Sequence, residues 1–187
     1  MNQQSAPRAT LGRSALVLAL CCLAGPLLAA ETVIGLTNAQ RCYEYALAEI
    51  GSLNAADVCT EAIERETLST TDLAATYCNR GLIFSRSNRT KRAIADFDQA
   101  LAMDPTLVHA LINRGNVMVR AKRFEDALKD YEAAIFYSEG RNPLIFYNRS
   151  IVYEKLGRLA DAREDLLRAL QLRPDSRQYR EALASLE

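Results

Sequence analysis

Between Ala74 and Pro174 the chain writes one pattern of small and large apolar positions three times. Gly81, Phe84, Ala93, Phe97, Ala100 and Pro105 are followed at the same offsets by Gly115, Met118, Ala127, Tyr131 and Ala134. Ser150, Tyr153, Ala162, Leu166, Ala169 and Pro174 then follow one residue late. The triplets Asn79–Arg80–Gly81, Asn113–Arg114–Gly115 and Asn148–Arg149–Ser150 head the three units, spaced 34 and then 35 residues apart. Small and large residues at these fixed steps predict two closely approaching helices per unit.

Gly81, Gly115 and Ser150 are expected to leave room on a first helix, and Ala93, Ala127 and Ala162 to fill it from the second. Phe97, Tyr131 and Leu166, four residues further on, share that second-helix face and pack into the pair. Ala100, Ala134 and Ala169 let the next unit sit close. Pro105 and Pro174 end the second helices, since proline cannot continue one. The middle unit lacks that proline and exits through Gly140 and Pro143, which accounts for its extra residue. Upstream, Ala55, Cys59 and Ala62 keep the second-helix phase behind a first helix over residues 38–50, so residues 37–65 read as a degenerate opening unit. Leucine and tyrosine share a helical face over residues 176–186, as in a helix that covers the end of an array.

These residues carry a resemblance to the tetratricopeptide-repeat family, with its 34-residue period and its small–aromatic–Ala–aromatic–Ala–Pro pattern. The runs Ala93–Asp98 and Ala127–Tyr131 further resemble those of exported bacterial members. The fold the resemblance implies is all-α, an α-solenoid of antiparallel helix hairpins with about 3.5 repeats and a C-terminal cap. The expected organisation is a signal peptide at 1–30, a degenerate repeat at 37–65, repeats at 74–107, 108–142 and 143–176, and a capping helix at 177–187.

In this family the first helices line the concave face, where peptides bind. The resemblance therefore makes Asn79, Asn113 and Asn148 inner-face residues, with Asn116, Arg86, Arg120 and Lys155 a turn or so along. Amides both donate to and accept from a peptide backbone, and the cations suit a carboxylate or an acidic segment. Carboxylate-clamp members carry paired Lys and Asn in the first repeat; Cys78 and Leu82 take those places here, while Asn113 survives.

Charge repeats as well. Arg80, Arg114 and Arg149 each stand 16 residues before Asp96, Asp130 and Asp165. One structural ion pair per unit, joining its two helices, is expected.

The amino terminus departs from the repeat. Arg8 and Arg13 precede an apolar run from Ala15 to Ala24, a Gly25–Pro26 break and Ala29–Ala30. That order is expected of a secretory signal cleaved near Ala30, and the run is shorter than the roughly 20 apolar residues of a membrane-spanning helix. Without it, 21 Lys and Arg face 23 Asp and Glu, a net charge of −2. Such a balance offers no basic excess for nucleic acid. Export implies an oxidising compartment, where disulfides persist. Cys42 and Cys59 fall on the two helices of the opening unit and are the expected pair, Cys59–Cys78 being the second pairing and Cys78 the remaining thiol.

Signs of catalysis are missing from the sequence. His109 is the one histidine, no C-x-x-C occurs, and no glycine-rich phosphate loop or metal-ligand spacing is present. No cofactor is expected. Asn88–Arg89–Thr90 and Asn148–Arg149–Ser150 match the glycosylation triplet by chance. The favoured function is a non-catalytic protein-interaction scaffold in a bacterial periplasm, periplasmic or secreted, with a protein or peptide partner, no nucleic acid and no membrane contact once the leader is removed. Open-ended arrays also self-associate, which adds a second copy to the candidate partners. The alternatives are an inner-membrane-anchored assembly factor and a redox-sensitive thiol protein.

Overall fold

A computed structural model describes residues 36–186. The leader expected at residues 1–30 and the final Glu187 lie outside them. The described residues form nine helices and no strand: α1 (Asn38–Leu47), α2 (Leu53–Arg65), α3 (Thr70–Arg86), α4 (Thr90–Met103), α5 (Val108–Arg120), α6 (Phe124–Tyr137), α7 (Pro143–Lys155), α8 (Leu159–Leu172) and α9 (Arg177–Ala184). Consecutive helices pair as antiparallel hairpins, and each hairpin stacks on the next. The result is an all-α solenoid of four hairpins closed by α9.

Local chemistry sets the ends. Thr37 and Gln40 form a capping box on α1, Ser52 and Ser69 cap α2 and α3, and Asn142 with Pro143 opens α7; each cap satisfies a first-turn N–H. The turns inside the hairpins are tight and share one geometry. Glu49, Asn88, Lys122 and Gly157 adopt positive φ, and the next residue's N–H returns to the carbonyl five residues back. This Schellman closure ends α1 at Leu47, so the first helix stops three residues short of the expected Ile50.

Packing within the hairpins refines the expectation about the small residues. A Cβ placed on Gly115 would stand 2.7 Å from the Tyr131 ring, and one on Gly81 would stand 2.9 Å from the Phe97 ring. The space over each glycine is thus taken by the aromatic residue, with the Ala93 carbonyl next nearest at Gly81; Ala93, Ala127 and Ala162 are fully buried beside it. Phe97 and Tyr131 are among the largest fully buried side chains, so the interlock is a core contact.

The three arginines grip their aspartates through two nitrogens each: Arg80 to Asp96 at 2.8 and 2.8 Å, Arg114 to Asp130 at 2.9 and 2.6 Å, and Arg149 to Asp165 at 2.8 and 2.7 Å. They reach further than one hairpin. The third nitrogen of Arg80 donates to Thr60 of α2 at 2.9 Å, and that of Arg114 to Asp98 of α4 at 2.6 Å. Each of these two guanidinium groups joins its own hairpin to the preceding one. Their aspartates hold all three arginines above the usual range, as charge-assisted forks do. Among the described residues no buried side-chain nitrogen or oxygen lacks a partner.

The first hairpin is closed differently. Cys42 and Cys59 are fully buried, their Cα atoms are 4.9 Å apart and their sulfurs are joined. The Glu66 carboxylate accepts from the Asn38 and Ala39 N–H groups at 2.5 and 3.2 Å, tying the end of α2 to the start of α1. At the other end of the molecule, Tyr179 of α9 is buried and stacks on Tyr147 of α7, centroids 5.1 Å apart.

Candidate partner-binding groove

The first helices of the hairpins, α1, α3, α5 and α7, stand side by side, α1 against α3, α3 against α5 and α5 against α7. Side chains that do not enter the core on this face line a series of hollows. The hollow between α1, α3 and α5 has a volume of about 490 Å³ and is lined by Tyr43, Leu47, Leu82 and Leu107, with Asn79, Asn113, Arg86 and His109 among the polar groups. A second hollow of about 260 Å³, between α5 and α7, is lined by Asn116, Arg120, Asn148, Tyr131, Val119 and Ile151. A third, about 380 Å³, lies between α7 and α9 and includes Glu154 and Glu181.

Six of the seven residues singled out for partner binding therefore stand on this surface. Asn79 and Asn113 share the first hollow with Arg86, and Asn116, Asn148 and Arg120 share the second. Lys155 is exposed but lines none of the three. The asparagines do not form a uniform ladder. Asn116 accepts from the Tyr131 hydroxyl at 2.7 Å and from the Asn148 amide at 3.0 Å, so these three are knitted together. Burial pushes the Tyr131 phenol up, which keeps it a proton donor to Asn116. Asn113 instead faces the Cys78 thiol.

Two of the cations are held by the fold. Arg86 donates to the Ala46 carbonyl at 2.5 Å and approaches Glu49 at 3.8 Å, satisfying the carboxyl end of α1. The Arg120 guanidinium donates to the Ser85 hydroxyl across neighbouring first helices, a neutral partner that leaves its charge uncompensated by that contact.

The apolar wall is not among the residues expected from the sequence. Tyr43 and Leu47, four residues apart on α1, are 56% and 67% exposed beside the first hollow. Their signal was legible: two large apolar residues at helical spacing, off the Cys42–Ala46 face that the core takes. Cys78, at the floor, is buried, and burial pushes its thiol up to about 12. Among the described residues no group of three or more His, Cys, Asp or Glu is gathered to hold a metal, and no helix is long and apolar enough to cross a membrane.

A family model described as tetratricopeptide repeat matches residues 74–107, and a second of the same description matches residues 112–177. No curated protein sequence matches the chain. Among solved structures, a tetratricopeptide repeat protein from Parabacteroides merdae aligns with a TM-score of 0.69 at 21% identity over 80% of this chain and 57% of that one. MamA from Desulfovibrio magneticus aligns at 0.67 and 19% identity over 80% of this chain and 83% of that one. The second TPR domain of human RPAP3, solved in complex with an HSP70 peptide, SGPTIEEVD, aligns at 0.59 and 25% identity over 63% of this chain and 98% of that one.

Proposed function

The chain belongs to the tetratricopeptide-repeat family, and on that premise we propose that it is a non-catalytic scaffold of the bacterial periplasm that binds a segment of a partner protein along the inner face of its hairpins. The carrying observation is the row of hollows on α1, α3, α5 and α7, where amides and cations stand beside uncovered apolar side chains. The RPAP3 domain, solved with its peptide, offers the analogy for a short segment seated on such hairpins. Exposed inner surfaces of solenoids are the usual contact surface of these arrays.

Export rests on Arg8, Arg13, the run Ala15–Ala24 and Ala30. The joined Cys42 and Cys59 fit an oxidising compartment, where the bond braces the opening hairpin. Burial of Cys78 argues against the thiol-sensor alternative, because a reactive cysteine needs access and a lowered pKa.

The test is affinity capture from native extract with mature wild-type protein, an Asn113→Ala/Arg120→Glu double variant and a Lys129→Glu control on α6. A partner held by the wild type and the control and released by the helical double variant is the expected result. Equal capture by all three would move binding off the inner face. The mass of the exported chain checks the leader: cleavage near Ala30 is expected, and a full-length chain in the membrane fraction would favour the anchored alternative.

A further inference from the structure

We propose that the inner groove, on the reading that it holds a partner segment, selects an extended peptide in which a bulky apolar side chain seats between α1, α3 and α5 and an acidic residue lies over Arg120, between α5 and α7.

The first hollow supplies the anchor site. Tyr43 and Leu47 leave more than half of their surface in water, while Leu82 and Leu107 form further apolar wall. Covering such surface is favourable in proportion to its area. A free carboxylate would find no equivalent reward there. Arg86 is already turned to the Ala46 carbonyl and Glu49, and Cys78 and Leu82 offer no cation where the carboxylate clamp has its Lys and Asn. Asn79 and Asn113, on neighbouring first helices, can bond the peptide backbone on either side of the anchor.

The second hollow supplies the charge. Arg120 is exposed and its hydrogen-bond partner is the neutral Ser85 hydroxyl. Asn148, held by Asn116, stands beside it. Beyond α7 the sign reverses: Glu154 and Glu181 line the third hollow. Arg177 neutralises Glu181 at 2.6 Å, which leaves Glu154 as the acidic group facing that hollow, so acid on the partner is favoured beside Arg120 and disfavoured beside Glu154. First helices packed roughly 8–10 Å apart, an extended chain rising about 3.3 Å per residue and the Arg120 guanidinium turned toward Ser85 of α3 set the two features within about five residues of each other.

The experiment selects phage-displayed random dodecapeptides against the mature chain and measures the selected peptides by fluorescence anisotropy. Leu47→Gln tests the anchor at an exposed position, and Arg120→Glu tests the charge; circular dichroism confirms that both remain helical. The expected peptides share a bulky apolar residue with Asp or Glu within about five positions of it. Leu47→Gln is expected to weaken them at least tenfold but to leave their Ala-substituted forms unchanged. Arg120→Glu is expected to reverse the preference, so that Lys replaces the acid. Peptides that bind, and are weakened by Asn113→Ala, yet ignore the apolar residue or the acid would overturn this pattern while leaving the groove reading intact. Peptides that bind regardless of every inner-face variant, or a selection that enriches none, would overturn both.

Discussion

In α3/α4 the ring of Phe97 enters the space over Gly81, whereas in α1/α2 the sulfurs of Cys42 and Cys59 meet at the corresponding level. Cys59 falls between Ala55 and Ala62 as Phe97 falls between Ala93 and Ala100. The accompanying ion pair is lost as well. Arg41 precedes Cys42 as Arg80 precedes Gly81, but Val58 precedes Cys59 where an aspartate stands in the other hairpins. Arg41 is left exposed, and Glu66 ties the hairpin shut instead. A hairpin can thus be closed by shape and charge or by a covalent bond. The first kind of closure is independent of redox conditions; the second depends on them.

That contrast is most severely tested by removing a ring. Phe97→Ala leaves a hole against Gly81 and is expected to cost about 4 kcal/mol, read by urea unfolding. A cost below about 1 kcal/mol would mean that the ring does not hold the hairpin. Asp130→Ala follows. It leaves the part-buried Arg114 with only the Asp98 contact, and breaking such a pair is expected to cost about 3 kcal/mol. Asp98→Ala, at a half-exposed carboxylate, should cost under about 1 kcal/mol.

Reduction probes the other side of the comparison. The two cysteines are 17 residues apart, and opening a loop of that size is expected to cost about 3 kcal/mol. The loss should be local: amide exchange should quicken in α1 and α2 while α5 to α8 keep their protection. Uniform loss of protection would show that the first hairpin is not a separate unit.

Cys78 sharpens the distinction by its inertness. At pH 8 the native protein should react with a thiol reagent far more slowly than the urea-unfolded chain. Its thiol pKa is raised from 9.0 to about 12 by burial. The unfolded chain therefore loses this proton first, so the stability contribution is complete below pH 9 and is lost as pH rises toward 12. The smallest effect is expected at the turns. Lys122 has a φ of 60°, and Lys122→Gly should stabilise the protein by about 1 kcal/mol, seen as a small rise in Tm.

Much of this was legible in the chain. The 34-residue spacing of Gly81 and Gly115 places both on first helices under an aromatic ring, and the 16-residue spacing of arginine and aspartate marks the three forks. Spacing did not show that Arg80 and Arg114 also reach the preceding hairpin, because that contact depends on how hairpins stack. Nor did it show that Phe97, rather than Ala93, supplies the side chain filling the space over Gly81. The sequence does not mark the end of α1, because Glu49, not glycine or asparagine, occupies the left-handed position. At the groove, it is the tetratricopeptide resemblance that assigns Asn79, Asn113 and Arg120 to the first-helix face, and the capture of Arg86 by a backbone carbonyl has no sequence signature.

Photocrosslinking in intact cells tests most directly whether the inner face is the proposed working surface. A photoreactive amino acid would replace Leu82, half-buried on the inner face, or Leu167, exposed on α8. A crosslink to another protein is expected from position 82 and none from 167. Crosslinks from 167 alone, or equally from both, would contradict it.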